Sequence, residues 1–576
     1  MVQELPNYND FDTLLQAFKA NAARFKNNTL LYYQLQKSPE LEKLTYGQVD
    51  KISTHLANTW RPIVPAGTQC IALLSEDTTQ AVLAFFAVLK LGFIYFPLST
   101  HNTEAANVHM IKKTNTSYMV ASETYRKDAM GCAAALTDSN FRVKIWDDFD
   151  IDQLIASSEA FVSTPQDEDS TSRQREGTVT ADPDAIITWL HSSGTTSALP
   201  KLISGSTRSH LFSVLEIVLK PIQKVCPYLA VGPSDVILIT DKFFHAPSIF
   251  TLIMSVLTGA SILLLNCENP IPLDNLAAAD ASGATVLITT PAFLDRLAKY
   301  LKHCTNDERH AATLQRFKFS LTTGSPLRKA VGDYLHSKGL NVRNAYGMTE
   351  VGCVSLSNFE DNDRWANIEP SNALLRYTTF EPYEKDLHQL ILHSSYPALR
   401  GANDRPTGDL VTGDLFVKDS TRPGNWMFAG RKDDLIFTGF GEKLNVVPME
   451  EEVCNEDIIR SCIIVGEDRP CTTALVELNM DEDPHCSSAE MTSRVYTAVN
   501  RANKHAPFHG LVAVPDMVYI LPPNKQLPTT VKGSVKRQKA IEIFNQELDE
   551  MYRIYNQKVV GEFSAGSGFK VRAKEE

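Results

Sequence analysis

The chain lacks closely paired cysteines: its ten, Cys70, Cys132, Cys226, Cys267, Cys304, Cys353, Cys454, Cys462, Cys471 and Cys486, stand far apart with no CxxC among them. That scatter gives no metal-ligand spacing and reads as reduced thiols. A basic excess is missing too, since 56 Lys and Arg against 68 Asp and Glu leave a net charge of −12. Without a polyanion footprint, nucleic acid is not expected as a partner. Residues 1–10 contain no basic region followed by an apolar one, so no secretory signal is visible and the expected location is the cytoplasm. There is no internal repeat and no heptad run. One stretch, residues 249–265, is long enough to suggest a membrane span, but Thr251, Ser255, Thr258, Gly259 and Ser261 interrupt it. It reads instead as a buried helix ending near Gly259, then a strand over 260–265, and no membrane association is expected.

What is present is ample core material. Over 576 residues, 43% are hydrophobic and 22% charged, enough for two or more domains. A helix follows Leu44-Thr45-Tyr46-Gly47, with Val49, Ile52 and Leu56 at helical spacing, and a strand follows over Cys70–Leu74. The apolar helix Ala81–Leu91, closed by Gly92, leads to another strand over 93–97, the alternation of a parallel sheet with crossover helices. Residues 285–289 and a helix around Leu294–Ala298 repeat the rhythm, so two wound sheets fit within the first 380 residues. Beyond about residue 430, short strands over 461–465 and 473–478 suggest a small α+β domain. Near the end, Phe544, Leu548, Met551, Tyr552 and Tyr555 share a helix face. Residues 157–184 are polar and read as a mobile surface excursion.

After a strand read as buried over 185–190 comes Ser192-Ser193-Gly194-Thr195-Thr196-Ser197-Ala198-Leu199-Pro200-Lys201. Glycine lets backbone N–H groups converge on phosphate oxygens, the threonines donate hydroxyls or meet a divalent ion, and Lys201 adds charge. Alone, the run reads equally as a polar surface turn.

Three later segments shift that balance: Asn344-Ala345-Tyr346-Gly347-Met348-Thr349-Glu350, Thr412-Gly413-Asp414-Leu415 and Gly430-Arg431-Lys432-Asp433-Asp434. With the loop, in this order, they resemble the ANL superfamily of adenylate-forming enzymes, which includes acyl-CoA synthetases, luciferases and peptide-synthetase adenylation domains. The resemblance runs from about Leu44 to Tyr552. It implies a large N-terminal domain (1–432) of two wound α/β subdomains plus a small β-barrel-like one, a small mobile α+β C-terminal domain (433–560), and a tail or linker (561–576). It implies ATP and Mg²⁺ as cofactors. Ser192, Ser193, Gly194, Thr195, Thr196 and Lys201 would hold the β- and γ-phosphates, Tyr346 would stack on adenine, and Asn344 would meet its edge. Ala345 and Gly347 belong to the same motif. Thr349 would touch the α-phosphate, Glu350 and Thr195 would meet Mg²⁺, and Gly324-Ser325-Pro326 would pass the adenine and the acyl pocket. Asp414 would accept the ribose hydroxyls and is favoured over Asp409 of the repeated Thr407-Gly408-Asp409-Leu410; Arg431 would contact ribose or phosphate, and Asp433 would be the hinge. Phe243-Phe244-His245 resembles the motif bordering the acyl substrate, with a pocket of His245, Ala246, Ile249, Thr323, Ala345, Cys353 and Val354.

Two departures mark this chain. Ser197 replaces a second glycine and the loop is one residue longer before Pro200. Near the end, Val531-Lys532-Gly533-Ser534 places serine where most members carry the catalytic lysine. The lysine-before-glycine order, with Gly441-Glu442-Lys443-Leu444-Asn445 and Pro448-Met449-Glu450, resembles fungal peptide-synthetase-like enzymes and carboxylic acid or aminoadipate reductases. Lys532 is therefore the expected catalytic lysine and Lys536 the fallback. His245 stands where amino-acid-activating members carry an aspartate, which favours an aryl, α-keto or other acid lacking the α-ammonium. The expected activity is acyl-AMP formation, then transfer to a phosphopantetheine thiol of a carrier protein, in cis or in trans. No Asp-Ser-Leu carrier signature follows Tyr552, as expected of an excised adenylation domain. A free-standing acyl-CoA synthetase using CoA is the alternative, and a non-catalytic nucleotide-binding module the alternative of another class.

Overall fold

The structure, a computed structural model, describes residues 4–34, 40–136, 140–146, 151–162, 182–191, 199–265, 271–303, 307–400, 404–437, 443–467, 469, 471–479, 487–507, 510–530 and 534–564. Two compact units result, residues 1–412 with 417–428, and residues 413–416 with 429–576.

The larger unit holds two wound sheets. One has eight strands, in the order Gly352–Leu356, Val342–Met348, Phe319–Thr322, Val286–Thr289, Val236–Ile239, Ser261–Leu264, Thr29–Gln34, Leu41–Thr45. Its inner strands are parallel and its two outermost pairings antiparallel. The other has six: Arg142–Trp146, Tyr118–Ser122, Cys70–Leu74, Ile94–Pro97, Ile186–His191 and Leu202–Ser206, with the last pairing antiparallel. The barrel-like part expected beside them is a four-stranded sheet of Thr378–Glu384, Leu387–Leu392, Leu410–Lys418 and Trp426–Arg431.

Local signals explain the crossover helices. Thr45 and Gln48 form a reciprocal cap on Tyr46–Trp60. Asp77 caps Thr78–Leu91, which is buried almost all round and ends at left-handed Gly92. The stretch weighed as a membrane span is the helix Ala246–Thr258, left-handed Gly259 and the strand Ser261–Leu264. Glycine is obligatory at 259, where φ is +77° and a Cβ would fall 2.7 Å from the Phe25 ring. No described helix is long and apolar enough to cross a membrane.

Two expectations need adjusting. Residues 157–162 complete the helix Ile151–Val162, with Ser158 buried and bonded to the Ile155 carbonyl, so they are no part of a surface excursion; residues 163–181 of that stretch lie outside the described residues. The strand Ile186–His191 is only partly buried, because it lies next to the edge strand and Ile186 at its start is exposed.

The smaller unit packs the helices Val447–Cys454 and Ser488–Ala502 on a three-stranded sheet, Ile459–Val465, Thr473–Leu478 and Val518–Ile520. Phe544 and Leu548 enter a second cluster with Ile463 and Leu475, while Tyr552 joins the first.

Candidate functional site

In a wound sheet, ligands gather at the carboxyl ends of the strands. Here three neighbouring apolar strands finish in threonines: Thr240 after Val236–Ile239, Thr289 at the end of Val286–Thr289, and Thr322-Thr323 at the end of Phe319–Thr322. The hydroxyls of Thr240 and Thr289 lie 2.6 Å apart, and the Thr323 amide donates to the Thr289 carbonyl at 3.2 Å. Gly324 follows with φ +96°, a turn open to glycine. Ser325 is half-buried and Pro326 exposed.

The next strand carries Asn344, Ala345, Tyr346 and Gly347, paired back on Gly352–Leu356. Asn344 is oriented by donation from Nδ2 to the Ala366 carbonyl at 3.0 Å. Thr349 and Glu350, both half-buried, occupy the turn of this hairpin, closed by the Val351 amide donating to the Met348 carbonyl at 3.2 Å. Opposite, Cys353 reaches the Tyr346 carbonyl, and Val354 is buried. Burial pushes the Cys353 thiol up to about 12, so it is a neutral lining group. Glycine at 352, with φ +72°, admits Phe250, whose ring tip would lie 3.0 Å from a Cβ there. Phe250 comes from the helix that also bears Ala246 and Ile249 and is entered at His245. The His245 ring packs on Phe244 with centroids 4.5 Å apart, and its Nε2 lies 3.9 Å from Asp241.

Of the phosphate-loop residues, Ser192 to Thr196 lie outside the described residues; Lys201 is described and exposed. The strand before the loop is tied to the helix Thr207–Phe212 beyond it by His210, whose Nε2 meets the Thr188 hydroxyl at 2.8 Å. Arg400 Nη2 donates to Asp184 at 2.7 Å and also to the Ser206 hydroxyl. Burial, reinforced by the Arg400 charge, lowers the His210 ring from 6.5 to about 4. The folded state therefore prefers the neutral ring. Its contribution is complete above pH 6.5 and is lost as pH falls toward 4, a difference of roughly 3 kcal/mol. Denaturant unfolding of wild type and His210→Gln across that range is expected to show the loss in wild type alone.

Within the smaller unit, Asp414 is nearly buried and Arg431 Nε lies 3.6 Å from it. The repeated copy differs: Asp409 accepts from the Thr407 hydroxyl at 2.7 Å and the Ser394 amide at 2.8 Å, which hold it below the usual carboxylate range and commit it to its own loop. Asp433 sits in the 3₁₀ turn Lys432–Asp434, whose Asp434 side chain accepts from the Arg431 amide at 3.1 Å. Lys532 lies outside the described residues. Its flanks are fixed by a Thr529–Val535 bridge and by the Thr530 amide donating to the Ser534 carbonyl at 2.8 Å. Just beyond, Arg537 binds Glu450 through Nη1 at 2.8 Å and Nη2 at 2.9 Å.

A family model for the AMP-binding enzyme matches residues 18–376, and one for the AMP-binding enzyme C-terminal domain matches residues 433–556. The chain belongs to the AMP-binding enzyme family. That places it in the ANL superfamily. Among the relatives of this family member is the adenylate-forming reductase Nps10 of Heterobasidion annosum, 27% identical over 85% of this chain and 44% of that protein. Another is a carboxylic acid reductase of Neurospora crassa, 22% identical over 88% of this chain and 47% of that protein. The chain thus spans less than half the length of these relatives. In fold it matches the anthranilate CoA ligase AuaEII in complex with anthranoyl-AMP, with TM-score 0.72 and 16% identity, covering 93% of this chain and 99% of that one. ATP-bound MatB of Rhodopseudomonas palustris matches with TM-score 0.71 and 17% identity over 93% and 99% of the two chains.

Sequence reasoning passed over Thr240, Thr289, Asp241 and Arg343. The threonines had a signal, a hydroxyl closing each of two apolar runs. Arg343 had one as well, a cation between Val342 and Asn344. It is fully buried, donates to the Phe359 carbonyl at 3.1 Å and to Asn362, and burial lowers it to about 10.

Proposed function

We propose that the chain activates a carboxylic acid lacking an α-ammonium group, making acyl-AMP and pyrophosphate, and passes the acyl group to a phosphopantetheine thiol of a carrier protein. The observation that carries this reading is the hairpin, which sets Asn344, Tyr346 and the Thr349-Glu350 turn beside Thr323-Gly324 at one carboxyl edge, with Cys353, Val354 and Phe250 alongside. A carboxylate oxygen of the acid attacks the α-phosphorus of ATP, an O–P bond forms, and the bond to pyrophosphate breaks. Tyr346 and Asn344 orient the adenine, Asp414 accepts the ribose hydroxyls, and Arg431 steadies that carboxylate. Thr349 donates toward the α-phosphate, and facing the charge that grows on the phosphates is the role assigned, by the family resemblance, to Lys532 and to the Ser192–Lys201 loop.

Magnesium is bound through few protein carboxylates and mostly through phosphate oxygens, which suits the single half-buried Glu350 of the turn. When bound it neutralises phosphate charge. Asp433 serves as the hinge between half-reactions. His245, standing where amino-acid-activating members carry an aspartate, supports an aryl or α-keto acid over an α-amino acid.

Acid-dependent ATP–pyrophosphate exchange over benzoic, arylpyruvic, aliphatic and amino acids tests this reading. Exchange with an aryl or keto acid, absent with amino acids, is expected; normal ATP binding with no exchange on any acid would favour a non-catalytic nucleotide module. Thioester formed on CoA but not on a supplied carrier protein would replace carrier transfer by CoA ligation.

A further inference from the structure

Among the described residues the acyl-side strand Gly352–Leu356 is the outermost of its sheet, so one row of its backbone groups has no strand partner there. Two buried hydroxyls occupy that edge from different parts of the chain. Ser213 Oγ donates to the Val351 carbonyl at 3.3 Å and Tyr396 Oη donates to the Cys353 carbonyl at 3.1 Å. Both side chains are buried, at 1% and 2% exposure, so water does not replace them.

Each donor is itself held. Ser213 begins the π-helical turns Ser213–Leu219, a rare widening of a helix that recurs at functional sites. It presses so close to the hairpin that a Cβ at 352 would fall 2.5 Å from its Oγ. Tyr396 stands in an aromatic cluster, 5.3 Å from Phe212 and 5.8 Å from Tyr377 between ring centroids. The carbonyls they hold belong to the residue after Glu350 and to the pocket residue Cys353.

We propose that Ser213 and Tyr396 are positioning residues that hold the start of the edge strand at the carbonyls of Val351 and Cys353, fixing the shape of the acyl pocket and thereby the choice of acid. Neither touches the reacting atoms. The consequence for acid choice rests on the adenylation reading above; the anchoring does not.

The test uses the full chain with Tyr396→Phe and Ser213→Ala made separately. Hydrogen exchange of backbone amides in 349–356 is expected to rise about tenfold in each, the scale of one lost hydrogen bond, while Val236–Ile239 stays unchanged. With benzoic, phenylpyruvic and hexanoic acids in pyrophosphate exchange, KM for the acid is expected to rise by roughly five- to tenfold and the ranking of acids to flatten. KM for ATP should stay within about twofold, a split that general loosening would not produce. Unchanged exchange at 349–356, or an equal rise in 236–239, would overturn the anchoring. A local rise with KM for acid and ATP shifting together would overturn the role in acid choice. A local rise with no acid activated by wild type would sink the adenylation reading while the anchors stand.

Discussion

Gly347→Ala is expected to reduce acid-dependent pyrophosphate exchange by on the order of 100-fold or more, the cost of displacing reacting groups by about 1 Å. A Cβ at 347 would fall 2.4 Å from the Gly352 carbonyl oxygen, 3.1 Å from its carbon and 3.0 Å from the Cys353 Cα. All three are backbone atoms of the paired strand, so no side-chain rotation relieves the overlap and the hairpin itself must open. Opening it moves Tyr346 on one side and the Thr349-Glu350 turn at its end. Overpacking of this kind costs about 1–3 kcal/mol, which a domain of this size survives, so a folded and inactive protein is expected. Circular dichroism and a melting curve alongside the exchange assay check this. Wild-type activity in a folded Gly347→Ala protein would remove the hairpin from the site.

Lys532→Ala is expected to lower the same exchange by roughly 100- to 1,000-fold, the usual effect of removing one group that stabilises transition-state charge, and Lys536→Ala by less than about tenfold. Of the two, Lys536 is among the described residues. The Lys536 amide donates to the Pro528 carbonyl at 2.7 Å, and the residue leads directly into the helix Arg537–Ile543. Its neighbour Arg537 is pinned to Glu450 and to the Ile464 carbonyl at 2.8 Å, which fixes this end of the segment. Lys532 lies outside the described residues; of its flanks, the Thr530 amide donates to the Ser534 carbonyl at 2.8 Å. Single-turnover measurement of pyrophosphate release separates loss of chemistry from loss of binding. Full activity without Lys532, and loss without Lys536, would exchange their roles.

Much of the fold was legible because its signals are local. Apolar runs of four to six residues mark the buried strands, and Gly92 and Gly259 mark two helix ends through their left-handed backbone. The hairpin was legible as a motif but not as a geometry, since the closeness of Gly347 to Gly352 depends on a register shift in the pairing. The two copies of Thr-Gly-Asp-Leu were separable only by weak context in sequence. In three dimensions they part plainly, Asp409 bonded within its loop and Asp414 on a strand beside Arg431. The anchors of the acyl-side strand were illegible for a definite reason. Ser213 and Val351 are 138 positions apart, Tyr396 and Cys353 are 43 apart, and neither serine nor tyrosine carries a motif there. The π-helical turns were hidden too, because a helical pattern of apolar residues does not reveal a locally widened helix.

The most direct test of acid adenylation follows an oxygen atom. The acid carries heavy oxygen in its carboxylate and is supplied with ATP, Mg²⁺ and hydroxylamine as acceptor, and the recovered AMP is weighed by mass spectrometry. If the carboxylate attacks the α-phosphorus, the acceptor later cleaves the acyl–oxygen bond and that oxygen stays on phosphorus, so each AMP formed carries one heavy oxygen. AMP without label, or ADP and labelled inorganic phosphate in its place, would contradict the account.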